Sequence, residues 1–560
     1  MMDVAHAAVE CFKRLGISRI YGLIGTSILD FVDALYDYRD DIRFITTRHE
    51  QVAVSMADAE GRLTSKPGVA VVHVGGGFLN SLISVGIAYR DKSPIVILSG
   101  GVRRRLRGLE SMYEIDQESI IRPIVKKAYV VDEPSRIVDV VSSAYNIAIS
   151  PPYGPVYIEV PEDIWLNTSE YDFNTCKEAI KSPPKPKDEY IDKVIEYLKD
   201  SERPLILAGG GINNMSSSSL LVRLLDSLKI PIVTTGSGRG VITEDHPLSL
   251  GRVGFGGGST YADKALEKCD LLLALGCSLT DITTYSYNII PKGDIILVNL
   301  DEKTDERPIP YSEWFYTDAN VFLRKLVDKI SSLGVKREYS GWIDEINSWR
   351  RGWERILDDT LSREFKGYVN PARFFKYLDD KLRDIEVIIS AGQGMHILYA
   401  YSFLKARSYR SFLAATDLGA MGFAFPAALA AKTVYPNKEV IAIVGDGEFM
   451  MTLQDLETMV RENIPVKIVI VNDNSYRVLY YRQKLQKKGR IYGTLLTNPD
   501  FIRLAESFNI ESLSLEDNSK IPDAVNKMLN TDKPFIVELK INPDDIPPLN
   551  LEASLKMTSL

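Results

Sequence analysis

Short, nearly continuous runs of β-branched and aliphatic residues recur along this chain, each separated from the next by a stretch with helical periodicity. The clearest are residues 69–74, 95–98, 205–208, 231–234, 271–275, 295–299, 440–444 and 466–471. A strand that is apolar on both faces must be covered on both, and helices do that when the strands they connect run parallel. The chain is therefore expected to be α/β, built of doubly wound parallel sheets. At 560 residues it is too long for one such sheet, and two breaks divide it. Residues 181–187, Lys-Ser-Pro-Pro-Lys-Pro-Lys, read as a stiff, solvated linker. Between about 335 and 365, Trp342, Ile346, Trp349, Trp353 and Ile356 share one helical face, which predicts a connector helix packed on a neighbour. Three modules result, at 1–165, 190–330 and 366–560.

The net charge of −8 argues against nucleic acid as the main partner. No apolar run approaches the roughly 18 residues of a membrane span. At the N-terminus Val4, Ala7, Ala8, Cys11, Phe12 and Leu15 recur at helical spacing with Asp3 and Glu10 among them, so this segment reads as a first helix, not a signal peptide. Cys11, Cys176, Cys269 and Cys277 are scattered, without a C-x-x-C pair. Neither a disulfide framework nor a zinc site is expected, and a reducing, cytoplasmic setting fits.

The first and third modules echo each other. Residues 65–77 and 435–447 share a turn, a buried strand and a glycine-rich end; a helix, a charged turn ending in proline and another strand follow each. Both read as the same strand–glycine turn–helix–strand unit. In the third module Gly445-Asp446-Gly447 follows a buried strand and opens a helix, a place where backbone N–H groups receive anions. An aspartate there repels phosphate unless a cation lies between. The next strand ends in Asn472-Asp473-Asn474-Ser475, and ends of adjacent parallel strands meet at the carboxyl edge. Asp446 and Asp473 can thus share a hard cation such as Mg²⁺, a backbone carbonyl near Ser475 and diphosphate oxygens completing its shell. The plain alternative is a pair of ordinary turn aspartates.

This pair of segments resembles the diphosphate–magnesium motif of thiamine-diphosphate-dependent enzymes, in which G-D-G is followed at this distance by a double asparagine. The resemblance covers the whole chain in the order pyrimidine-binding, central and diphosphate-binding domain. It points to the superfamily of acetolactate synthase, benzoylformate and other 2-oxo acid decarboxylases, and oxalyl-CoA decarboxylase/2-hydroxyacyl-CoA lyase. It implies Asp446, Asp473 and Ser475 at the metal, with Gly445, Gly447, Glu448, Gly392 and Gln393 near the cofactor's diphosphate. The segment 417–426 is similar to the one whose glycine carbonyl and methionine wedge hold the bent cofactor, roles implied for Gly419 and Met421. In isolation Met421 reads as a core gap-filler. One departure is Asp473, which stands where the family carries asparagine and adds a negative charge.

Thr47-Arg48-His49-Glu50 reads by itself as a capping box, with Glu50 reaching back to the helix start. The resemblance instead makes Glu50 the activating carboxyl group, hydrogen-bonded in a dry site to the cofactor's pyrimidine. Because Glu50 and the metal motif lie in different modules, it also implies a site shared between subunits: a homodimer at least, or a tetramer. Gly25 sits in the small-residue loop placed near the thiazolium. His73, read as ending a buried strand, is either structural or, as in benzoylformate decarboxylase, catalytic. Met112-Tyr113 replaces the Phe-Gln pair of acetolactate synthases. The basic cluster at 103–107 is a solvated face or an anion site such as coenzyme A phosphates would use. After Gly209-Gly210-Gly211 the third glycine of G-x-G-x-x-G is missing, so FAD is possible but not favoured in the central module. The expected function is thiamine diphosphate- and Mg²⁺-dependent cleavage or formation of a C–C bond beside a carbonyl. The first choice is 2-oxo acid decarboxylation and carboligation as in acetolactate synthase; the alternatives are an acyl-CoA lyase or decarboxylase and a flavin-linked 2-oxo acid oxidase.

Overall fold

Val69 and Val71 point to one face of their strand, Ala70 and Val72 to the other, and all four are fully buried, as a strand covered on both sides requires. The computed structural model describes residues 1–179, 183–550 and 553–554. It sets this strand third in a six-stranded parallel sheet ordered Arg43–Thr46, Arg19–Gly22, Gly68–Val72, Ile95–Gly101, Pro155–Pro161, Lys127–Val130. The sheet near the C-terminus runs Phe412–Leu413, Val387–Ala391, Glu439–Gly445, Lys467–Asn472, Phe535–Lys540, Glu511–Leu515. Counted along the chain, both have the order second, first, third, fourth, sixth, fifth, so the echo in sequence is an echo in topology. The sheet between them is different. Its strands Ser249–Arg252, Ile232–Thr234, Pro204–Ala208, Leu271–Leu275, Asp294–Asn299 and Glu313–Tyr316 follow the order third, second, first, fourth, fifth, sixth of dinucleotide-type folds. Each of the eight apolar runs read from the sequence overlaps a strand of one of these sheets, the first run overshooting its strand at His73 and Val74.

Alternation along the strands assigns their two faces to different cores. Ala70, Val72, Ile95 and Ile97 of the first sheet share one core with Val440, Ala442, Val444, Ile468 and Ile470 of the last. Between the two sheets, helix Glu50–Thr64 packs on helix Ala424–Val434. Both are rich in alanine and other small residues, which lets helix axes approach closely. The opposite faces have their own cores, Val69, Val71, Val96 and Leu98 in one and Ile441, Ile443, Val469 and Val471 in the other. The expected connector is helix Ser340–Ser362. It buries Trp342, Ile346 and Trp353, packs on helix Thr260–Lys268, and the Trp342 indole donates to the Pro204 carbonyl at 3.1 Å. Lys181 and Ser182 of the expected linker, and the expected limit of the third module at residue 560, lie outside the described residues.

One expectation is overturned. Cys11 and Cys176 form a disulfide, with Cα atoms 5.4 Å apart and 165 residues between them in sequence. Their spacing hides the pairing because topology makes it: helix Val4–Arg14 and the turn Phe173–Thr175 both lie against helix Ile137–Ala148. Cys269 and Cys277 are free and buried, and burial raises both thiols. No helix among the described residues is long and apolar enough to cross a membrane. Closing so long a loop constrains the unfolded chain, so Cys11→Ser is expected to destabilise the protein by about 2–5 kcal/mol in guanidinium unfolding. Thiol titration of the unreduced, denatured wild type should find Cys269 and Cys277 reactive and the other two silent; four reactive thiols would contradict the pairing.

Candidate active site

Gly445 stands opposite Val471 in the parallel register, so adjacent strands deliver Asp446 and Asp473 to the same carboxyl edge. Asp446 opens the short helix Asp446–Phe449 and is 2% exposed. Its carboxylate accepts from the Asn498 amide at 2.7 Å, and the same amide lies 3.0 Å from the side-chain oxygens of Asn472 and Asn474. Asp473 accepts from the Ser475 hydroxyl at 2.6 Å. Burial first, then the charge of Asp473, pushes Asp446 up to about 6. Burial also raises Asp473, against the pull of Arg477. Two carboxylates brought together out of water retain protons unless a cation neutralises them.

The donor set suits a hard, oxygen-seeking cation. Among the described residues there is no cluster of three or more His, Cys, Asp or Glu side chains that could hold a metal, so no all-protein cage exists. Mg²⁺ needs none, because it binds through one or two carboxylates together with waters and phosphates. Asp446, Asp473 and Ser475 would hold it. On the same cavity wall, His396 Nε2 and Glu448 Oε2, 3.4 Å apart, are buried without a hydrogen-bond partner and leave capacity for a polar ligand. The residues present therefore fit a Mg²⁺–diphosphate group.

Arg477 resolves the departure at Asp473. Its guanidinium is 4% exposed, lies 3.4 Å from the Asp473 carboxylate and donates to the carbonyls of Asn542 and Asp545. The surplus negative charge thus has a built-in counter-charge. The i, i+4 spacing of Asp473 and Arg477 is a signal the sequence does carry. Asn498 and Asn80 carried none, since only the fold brings them to their partners.

The first sheet delivers a second group. Thr46 pairs with Gly22, and Gly22 with Val71, so three neighbouring strands end together and lead to Glu50, Gly25 and His73. The helix starts at Glu50, with His49 as its N-cap accepting from the Gln51 N–H at 3.2 Å. Glu50 is then the first helical residue, not the third, and the capping box does not form; the Thr47 hydroxyl donates to the His49 carbonyl instead. The Glu50 carboxylate is 6% exposed and accepts from the Asn80 amide at 3.0 Å. A Cβ on Gly77 would come within 2.8 Å of it, so only glycine leaves this carboxylate its place. His73 lies one residue beyond its strand and is half-buried. Its Nδ1 is 2.7 Å from the Ser27 hydroxyl, its ring meets the Tyr113 edge at 4.8 Å, and Gly25 packs against it. Burial holds it below the ordinary histidine value, so it is neutral at pH 7.

Gln393, Gly419, Met421, Gly445, Gly447 and Glu448 join the two aspartates around one cavity of about 620 Å³. Met421 is half-buried at its wall, not a core residue. Gly392 lies behind it, under the Glu448 carboxylate, which also accepts from the Gly422 N–H at 2.9 Å. Among the described residues lining this cavity, none comes from 1–165, so one chain does not unite it with Glu50, Gly25 and His73.

The charge compensation at Asp473 makes a testable statement. Asp473→Asn keeps an oxygen donor and should change Mg²⁺-dependent cofactor affinity by less than about threefold. Arg477→Met leaves two uncompensated carboxylates and should cost about tenfold or more, and the double variant should recover most of that loss. Calorimetric titration with thiamine diphosphate measures all three; strictly additive effects would remove Arg477 from the account.

Three family models match the chain: the N-terminal TPP binding domain of thiamine pyrophosphate enzymes over residues 2–120, their central domain over 191–326, and their C-terminal TPP binding domain over 392–539. A probable acetolactate synthase large subunit of Methanocaldococcus jannaschii is 32% identical over 98% of this chain and 93% of its own length. One of Methanococcus aeolicus is 31% identical over 97% and 92%. The acetolactate synthase isozyme 2 large subunit of Escherichia coli is 27% identical over 97% and 96%. With all three domain models in order and relatives matched along nearly their whole length, the chain belongs to the thiamine-pyrophosphate-dependent enzymes, in the branch that holds the acetolactate synthase large subunits.

Proposed function

We propose that this enzyme uses thiamine diphosphate and Mg²⁺ to decarboxylate a 2-oxo acid and join the remaining fragment to a second carbonyl compound, in keeping with the acetolactate synthase names of its relatives. The observation that carries the reading is the pairing of two half-sites on two sheets of the same topology: a buried carboxylate held by Asn80, and a buried acidic pair on the wall of a cavity. The chain divides for this purpose into a pyrimidine-binding unit at 1–165, a central unit at 190–330 and a diphosphate-binding unit at 366–560.

Thiamine diphosphate, when bound, supplies an acidic ring carbon and an electron sink. The chain supplies the rest. Asp446, Asp473 and Ser475 hold the cation, while Gly392, Gln393, Gly445, Gly447 and Glu448 surround the diphosphate. Gly419 and Met421 face the rings from the cavity wall. Glu50 offers its carboxyl group as a hydrogen-bonding partner to the pyrimidine, and its low exposure keeps water from competing for that contact. His73, neutral and tied to Ser27, is placed to move a proton at the reacting carbon.

Because none of residues 1–165 lines the cavity that holds Asp446 and Asp473, we assign the complete site to two copies of the chain, a homodimer at least, which can assemble further into a tetramer. Exposed apolar residues surround both half-sites, with Leu79 and Ile83 near Glu50 and Met450 and Met451 beyond Asp446, as a surface covered by a second copy would have. The coenzyme A reading loses part of its support, since Arg103, Arg104 and Arg107 pair with Glu162, Asp163 and Asp132. Nor do we favour FAD: in the central unit the Asn214 side chain caps helix Met215–Leu228 by accepting from the Ser217 N–H at 3.0 Å, which takes one of the donors a dinucleotide diphosphate would use. Cys11 and Cys176 are both buried, which shields their bond from attacking thiols in the cytoplasmic setting we propose.

Glu50→Gln should fold normally and slow proton exchange at the thiazolium carbon of the bound cofactor by about 10²–10⁴-fold, the contribution of a positioned acid–base group. Exchange followed by NMR after acid quench measures it. A near-normal rate in the variant would take the role from Glu50.

A further inference from the structure

Arg252 ends the edge strand Ser249–Arg252 of the central sheet and is 6% exposed. Most buried arginines here sit against a carboxylate: Arg62 against Asp58 and Asp91, Arg239 against Glu244, Arg477 against Asp473. Arg252 has no ion pair among the described residues. Its Nη2 donates to the Phe255 carbonyl at 3.1 Å, and its guanidinium lies over the Tyr401 ring at 4.5 Å. Nε and Nη1 are buried without a hydrogen-bond partner. The carboxylate that faces it, Asp263, is fully committed, accepting from the Gly254 N–H, the Tyr285 hydroxyl and the Asn550 amide.

A buried cation with two unused donors is costly unless something binds it. The space beside it is kept open. A Cβ on Gly257 (φ +148°) would come within 2.6 Å of Nη1 and 2.3 Å of the Tyr401 ring. Gly257, Tyr401 and Arg252 line the cavity that also holds Met421, Asp446 and Asp473. Arg252 enters from the central unit with Phe255, Gly256 and Ile282, whereas the acidic pair belongs to the last sheet. The acidic pair accounts for a diphosphate through its cation, which leaves Arg252 available for a second anion.

Resting on the function proposed above, we infer that Arg252 binds the carboxylate of the 2-oxo acid substrate, with Nη1 and Nε as its donors. A planar guanidinium with two free N–H groups suits a carboxylate in geometry and charge. Arg252 thereby becomes a specificity-determining residue, which the sequence alone did not single out.

The test uses holoenzyme saturated with thiamine diphosphate and Mg²⁺, with pyruvate as the probe and longer 2-oxo acids as further arms. Arg252→Gln should raise KM for pyruvate about 10- to 100-fold, the loss of a charge-assisted hydrogen bond, and change kcat much less. Arg252→Lys should recover part of the loss, because the charge stays and the fork goes. Thiamine diphosphate affinity, read by calorimetry, should stay within about twofold of wild type in both, which a fold defect would not allow. Wild-type turnover with an unchanged KM in Arg252→Gln overturns the assignment alone. Lost cofactor affinity at unchanged KM gives the guanidinium to the cofactor and overturns it as well. A cofactor-loaded wild type that consumes no 2-oxo acid overturns the functional reading, and the assignment falls with it.

Discussion

Two carboxylates delivered to one buried strand edge set the terms for the rest of this protein. Asp446 and Asp473 repel each other, and burial withholds the water that would screen them. The chain answers in two ways. Arg477 neutralises part of the charge from four residues away, and the residues around the cavity in front fit a cation with its phosphate ligands, as proposed above. A parallel sheet is what makes the juxtaposition possible, because only parallel neighbours end together at one edge. Hydrophobic alternation, sheet order and glycine turns all serve to hold that edge in place.

The same physics used twice explains the plan of the molecule. The first sheet repeats the topology of the last, and its edge also presents a buried carboxylate. There the arrangement differs: a single carboxylate, Glu50, with an amide donor in Asn80. In the function proposed, the first edge serves the cofactor's pyrimidine and the last its diphosphate and cation. A shared core between helices Glu50–Thr64 and Ala424–Val434 joins the two sheets, yet the two half-sites of one chain do not meet in one cavity.

Strands buried on both faces were legible in the sequence, because a continuous apolar run has few other uses, and so was the repeat between the first and third modules. The acidic pair was legible from its spacing. The capping box at Thr47 was not a sound inference: the pattern fits, but the helix begins at Glu50, and position rather than composition decides what a capping residue can reach. The Cys11–Cys176 bond was hidden because a helix brings together residues far apart in the chain. Asn80, Asn498 and Arg252 belong to the same class. Each acts through neighbours from another segment, and a polar side chain acquires a role only when burial leaves it with a partner or without one.

The central claim is that Glu50 of one copy and Asp446 of another complete one site. Glu50→Gln and Asp446→Ala variants, each inactive alone, test it when mixed in equal amounts and allowed to exchange subunits. Random pairing places one intact site in each mixed dimer, so 2-oxo acid turnover should return to about a quarter of the wild-type level. If each chain carried its own complete site, no mixed dimer would hold an intact one, and a mixture that stays inactive after verified exchange would contradict the account.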